Sequence, residues 1–90
     1  MVAEWDVIDN AVWFEITHSG KTIACRIDGA TLWKYLGAES STDPFALRAF
    51  TRQSAAIEAL AVGKAERGEF EPHTSRGNQT VWLRASDVAP

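Results

Sequence analysis

Residues 11–27 decide the fold, and they read AVWFEITHSGKTIACRI. On both sides of Ser19-Gly20, apolar side chains alternate with others, which is typical of two β-strands that each bury one face. Glycine accepts positive φ angles freely, so Ser19-Gly20 predicts a tight turn between the strands. The stretch therefore predicts a β-hairpin, and its buried side would carry Val12, Phe14, Ile16, Ile23, Cys25 and Ile27.

Two helices are predicted after this hairpin. Asp28 is a good N-cap residue for the first helix, because its carboxylate can accept hydrogen bonds from the first turn, and Gly37 would end that helix. Asp43-Pro44 predicts the start of a second, longer helix, since proline is favoured at the first helical position. This helix would run until Gly68 stops it, and we expect Gly63 to be the point where it bends.

Three further segments predict strands. Residues 79–84 alternate, with Val81 and Leu83 expected to face inward. Residues 4–8 predict an edge strand, and residues 69–71 predict a short strand. Together these segments predict an α+β fold with a two-layer arrangement, in which both helices pack on one face of an antiparallel β-sheet.

Length, composition and charge limit the class of protein. A chain of 90 residues predicts a single domain, 1–90, because a second core could not close with so little chain. No apolar run is long enough to span a bilayer, and no secretory signal is visible, so we expect no membrane partner. Cys25 is the only cysteine, which favours a reducing compartment and predicts a cytoplasmic protein. The net charge of −3 makes a nucleic-acid partner an unfavourable expectation.

The alternation that buries one side of the sheet turns a second set of side chains the other way. If Val12 and Phe14 point to the helices, Trp13 points away from them, and Trp82 does the same on the last strand. We call this second side the outer face. Tryptophan and arginine are enriched in binding hot spots, so the outer face is the predicted interaction surface. Its predicted residues are Trp13, Arg26, Trp82 and Arg84.

Three interpretations of these tryptophans stay open at this point. The N-terminal segment with Trp5 and Ile8, or the tail after Arg84, could fold across them. A second copy of the chain could contact them instead. A different protein is the third candidate to cover them.

Catalytic, metal and cofactor sites are not predicted. Cys25 alternates with buried neighbours, where cysteine behaves as a small apolar residue rather than a nucleophile. His18 and His73 are far apart in the sequence and cannot supply the four close ligands of a typical zinc site. We therefore expect no cofactor and interpret both histidines as residues at the edges of loops.

Three functions follow from this pattern, in order of preference. The first is a non-enzymatic protein-interaction module that uses the outer face, by self-association or with another protein. The second is binding of single-stranded nucleic acid on the same face, with tryptophans that stack on bases and arginines that meet phosphates. A small enzyme is the least supported of the three.

The order of these residues resembles the bacterial family called domain of unknown function 1488. The resemblance implies a fold of an antiparallel sheet and two helices. It implies no activity, so no functional residue is carried over from it. The resemblance is carried by Val12-Trp13-Phe14, residues 25–28 before a helix with Leu32, the helical residues Phe50, Ile57 and Ala61 before Gly68, Val81-Trp82-Leu83 and Asp87-Val88.

Overall fold

A computed structural model describes residues 3–89 of the chain. The fold is α+β, with five strands and four helices among these residues. The strands are β1 (Glu4–Asp6), β2 (Ala11–His18), β3 (Lys21–Asp28), β4 (Glu71–His73) and β5 (Gly77–Leu83). The helices are α1 (Gly29–Tyr35), α2 (Phe45–Arg52), α3 (Ser54–Glu66) and α4 (Ala85–Val88).

The predicted hairpin is present as β2 and β3. The two strands pair antiparallel along their whole length, from Ala11 opposite Asp28 to His18 opposite Lys21. The turn residues Ser19 and Gly20 have φ angles of 52° and 75°. Positive φ at both positions matches the twist of the flanking strands, which explains why a two-residue turn closes this hairpin.

The sheet is mixed, so the expectation of a purely antiparallel sheet is wrong. Its strand order is β1-β2-β3-β5-β4, and β5 lies parallel to β3. Helices α1, α2 and α3 and strand β4 lie between β3 and β5 in the chain, and this crossover lets β5 start at the same end of the sheet as β3. The alternation in β5 correctly predicted a strand with Val81 and Leu83 buried, but alternation carries no information about strand direction.

The prediction of one long second helix is wrong. This region forms two helices, α2 and α3, which are separated at Gln53. The Gln53 side chain donates hydrogen bonds to the carbonyl oxygens of Leu36 and Ala49, so the break is bound to the end of the first helical region. Gly63, the expected bend, lies inside α3. The helical region nevertheless ends as predicted before Gly68, whose φ angle is 70°.

One apolar cluster joins the inner side of the sheet to three helices. Side chains from β2, β3 and β5 meet Leu32 of α1, Phe50 of α2 and Ile57 of α3. The ring centroids of Phe14 and Phe50 are 4.9 Å apart, which couples β2 directly to α2. Burial of this kind is the main source of stability in a small domain. Within residues 3–89, no helix has the length and apolar character needed to cross a membrane.

Candidate functional site

The register of the sheet brings the predicted outer-face residues together. Trp13 lies directly opposite Arg26, and Arg26 lies beside Trp82 in the neighbouring strand. Trp13 is not part of the apolar cluster that the helices share, in agreement with the predicted strand parity. Arg84 follows β5 immediately, with its Cζ 3.9 Å from the centre of the Trp82 ring. All four predicted residues therefore lie in one connected group.

The Trp82 ring lies between two guanidinium groups. The Cζ atoms of Arg26 and Arg84 are 3.8 and 3.9 Å from its centroid. Two guanidiniums at this distance cannot share one side of a ring, so they occupy opposite sides. Cation–π attraction is strongest for tryptophan and grows when the pair is shielded from water. This stack fixes the orientation of Trp82 and of both arginines.

Trp13 is sealed, with only 2% of its surface exposed. The His73 ring contacts it edge-on at a centroid distance of 4.9 Å, and the Cζ of Arg76 lies 4.5 Å from its centroid. Its indole Nε1 donates a 3.0 Å hydrogen bond to Oδ2 of Asp9. Trp13 is consequently part of an internal contact and is not available to a partner in this conformation.

The segment that seals Trp13 comes from the far end of the sheet. His73 and Arg76 belong to β4 and the turn after it, and β3 and β5 separate β4 from β2 in the strand order. His73 Nε2 nevertheless lies 2.9 Å from Oδ2 of Asp9, in the turn between β1 and β2. The β4–β5 hairpin, residues 71–80, therefore folds across the outer face.

Ion pairs hold this hairpin against β1. Arg76 contacts a carboxylate oxygen of Glu4 at 3.0 Å and one of Asp6 at 3.3 Å. The backbone N–H of Asp9 donates to the Asp6 carboxylate, and this bond is the main cause that lowers the pKa of Asp6. The contact between hairpin and β1 is consequently charged rather than apolar.

The covering segment differs from both segments that the sequence suggested. Trp5 faces the core, where it packs against the apolar cluster. Ile8 is 88% exposed and covers nothing. The tail after Arg84 forms α4, which packs near α1 and β5.

One end of the outer face remains accessible. Arg84 and Glu71 form a bidentate ion pair, in which Nη1 and Nη2 of Arg84 each donate a 2.6 Å hydrogen bond to a different carboxylate oxygen of Glu71. Their side chains are 42% and 35% exposed. The hydrogen bonds from Arg84 lower the pKa of Glu71 and, reciprocally, raise the pKa of Arg84. We call Trp82, Arg84 and Glu71 the accessible end of the outer face.

Two polar atoms in the stack around Trp82 have no hydrogen-bond partner among the described residues. They are Nε of Arg26 and Nε1 of Trp82, and both are buried. Buried donors are almost always paired in native proteins, so two exceptions side by side are unusual. The contact between Arg26 and Trp82 is therefore a stack and not a hydrogen bond from either of these nitrogens.

The buried side chain of Lys64 stabilises the backbone of the accessible end. Nζ of Lys64 donates 2.9 Å hydrogen bonds to the carbonyl oxygen of Trp82 and to Oδ2 of Asp87. The same Asp87 oxygen accepts the backbone N–H of Arg84 at 2.7 Å. Burial opposes ionisation of Asp87, but these two donors outweigh it and lower its pKa. Lys64 and Asp87 thereby fix the backbone that presents Trp82 and Arg84.

Neither Cys25 nor His73 presents a free reactive group. Cys25 is fully buried, and burial raises the pKa of its thiol to about 12. His73 contacts Asp9 and Ser75 through different ring nitrogens: Nε2 lies 2.9 Å from Oδ2 of Asp9, and Nδ1 lies 3.3 Å from Oγ of Ser75. The backbone N–H of Ser75 also points at Nδ1, so the lone pair that a general base would use is already engaged. Among residues 3–89 no cluster of three or more potential metal ligands is found.

Sequence reasoning missed the residues that seal and pair the outer face: Asp9, Glu71, His73 and Arg76. They lie in or beside turns, where no periodic pattern marks a buried side. His73 was interpreted as a loop-edge residue, yet its side chain is only 14% exposed. The available signal was electrostatic: a face with several arginines in an acidic chain needs nearby carboxylates.

Comparison with known proteins gives one match. A family described as a protein of unknown function (DUF1488) matches residues 2–75. The matched range includes Trp13, Arg26 and His73 and ends before β5, so Trp82 and Arg84 lie beyond it. Neither a curated protein nor a solved structure matches the chain.

Proposed function

This chain belongs to the DUF1488 family, whose function is unknown, and we propose that it is a non-enzymatic protein-interaction module. The proposed contact surface is the accessible end of the outer face, formed by Trp82, Arg84 and Glu71. Trp13 and Arg26 support this surface from inside the chain. The partner is a second copy of the chain or another protein.

The observation that carries this proposal is the stack around Trp82. Both guanidiniums and the Glu71 carboxylate are already fixed before any partner arrives. A contact surface whose side chains are ordered in advance loses little conformational entropy on binding. Tryptophan and arginine are also the residue types that dominate interface energetics. The accessible end offers a partner one aromatic edge, one cation and one anion at fixed positions.

Binding of single-stranded nucleic acid is the weaker alternative. Base stacking needs a free aromatic face, but guanidiniums occupy both sides of Trp82 and Trp13 is sealed. Arg26, Arg76 and Arg84 each face a carboxylate, so a phosphate would have to displace an existing ion pair. The net charge of −3 adds a further repulsion.

An enzyme is the least supported function. The Cys25 thiol is protonated at neutral pH because its pKa is about 12, and it is buried away from any substrate. The Nδ1 lone pair of His73 is engaged by the Ser75 backbone. Neither group has the free nucleophile or base that catalysis requires.

The proposal also covers the packing of the helices and the cellular compartment. We propose that the helices form a single layer on the side of the sheet opposite the outer face, so that no helix covers the accessible end. We also propose that the protein acts in the reducing cytoplasm of a bacterium. A single, deeply buried cysteine supports that compartment, since it forms no internal disulfide.

Sedimentation velocity tests the self-association version of the proposal. If the partner is a second copy, the weight-average mass of the wild type rises with concentration, and both Trp82→Ala and Arg84→Ala abolish that rise. Arg52→Ala removes an exposed arginine from α2 and is the matched control, so it should behave like the wild type. A wild type that stays monomeric at every concentration would remove this version.

Site-specific photocrosslinking in bacterial cells tests the version with another protein. A photoreactive amino acid at position 84 should crosslink to a discrete protein, whereas the same probe at position 52 should not. A titration of the folded chain with mixed-sequence oligonucleotides at low salt tests the alternative. Saturable quenching of tryptophan fluorescence in that titration would favour nucleic-acid binding over the proposed function.

A further inference from the structure

We draw no further inference here: the strongest candidate, the surface groove of about 490 Å³ along α2 that is lined by Pro44, Leu47, Arg48, Thr51 and Arg52, carries no proposal, because nothing within residues 3–89 shows what covers it.

Discussion

Removal of the Asp9 carboxylate should destabilise the protein far more than an ordinary turn substitution. Oδ2 of Asp9 accepts hydrogen bonds from the indole of Trp13 at 3.0 Å and from His73 at 2.9 Å. It also lies 3.7 Å from a guanidinium nitrogen of Arg26. Asp9→Ala leaves all three groups without their anion, and the Trp13 donor is buried where water cannot replace it.

The magnitude follows from the burial of each partner. A buried donor that loses a charged acceptor costs about 1.5–3 kcal/mol, which applies to Trp13. His73 and Arg26 are partly exposed, so the contact of each with Asp9 contributes less than about 1 kcal/mol. We therefore expect Asp9→Ala to lower the free energy of unfolding by about 2–4 kcal/mol. At about 4–8 °C per kcal/mol for a domain of this size, Tm should fall by roughly 8–32 °C.

Urea unfolding followed by tryptophan fluorescence measures this change. Asp9→Asn keeps an acceptor oxygen but loses the charge, so it should fall between the wild type and Asp9→Ala. Glu39→Ala is the control, because Glu39 is an exposed loop carboxylate and its removal should stay within about 0.5 kcal/mol of the wild type. An Asp9→Ala variant as stable as Glu39→Ala would refute the internal contact between the β4–β5 hairpin and the outer face.

Three further outcomes follow from individual side chains. Alkylation of Cys25 should proceed at the rate of global unfolding, because the thiol is buried and its pKa is about 12; faster labelling would mean that β3 opens locally. Lys64→Met keeps the apolar stem but strips the donor from Asp87, so urea unfolding should report a loss of about 3 kcal/mol, and a loss under about 1 kcal/mol would count against this role of Lys64. The hydrogen bonds from Arg84 lower the pKa of Glu71 in the folded state, so this pair adds stability above the unfolded pKa of about 4.3 and loses it as pH falls. The stability difference between wild type and Glu71→Gln should accordingly be largest above about pH 5 and shrink in acid, and a difference independent of pH would contradict the pairing.

The hairpin and its two faces could be predicted because they depend on short-range patterns. Alternation over residues 11–27 determines which side chains share a side, and a two-residue turn with positive φ fixes the register. The helix start at Asp28 is equally local, since its carboxylate accepts the N–H of Thr31. These features needed no knowledge of distant parts of the chain. They were sufficient to place Trp13 opposite Arg26 on the outer face.

The missed features depend on contacts between distant segments. Phe50 and Ile57 are seven residues apart and fit one continuous helical stripe, so nothing local marks the break between them. The break is held at Gln53 by a hydrogen bond to Leu36, which lies in another element. Strand direction could not be predicted either, because the alternation of apolar residues in β5 is the same whether the strand runs parallel or antiparallel to β3.

The burial of Trp13 could not be predicted for a related reason. Strand parity shows which side Trp13 is on, but not what lies over it. The cover consists of His73 and Arg76, polar residues near a turn, held by Asp9 and β1 carboxylates that are more than sixty residues away in the chain. Polar contacts of this kind have no sequence period, and only the folded arrangement brings them together.

The most direct test of the sealed outer face is the hydrogen-exchange rate of the Trp13 indole N–H, measured by NMR. The indole of Trp33, which is half exposed, provides the internal reference for fast exchange. With Asp9 as its acceptor and the β4–β5 hairpin above it, the Trp13 indole should exchange only when the whole domain unfolds. Exchange of Trp13 as fast as that of Trp33 would contradict the account, because the outer face would then be open along its whole length.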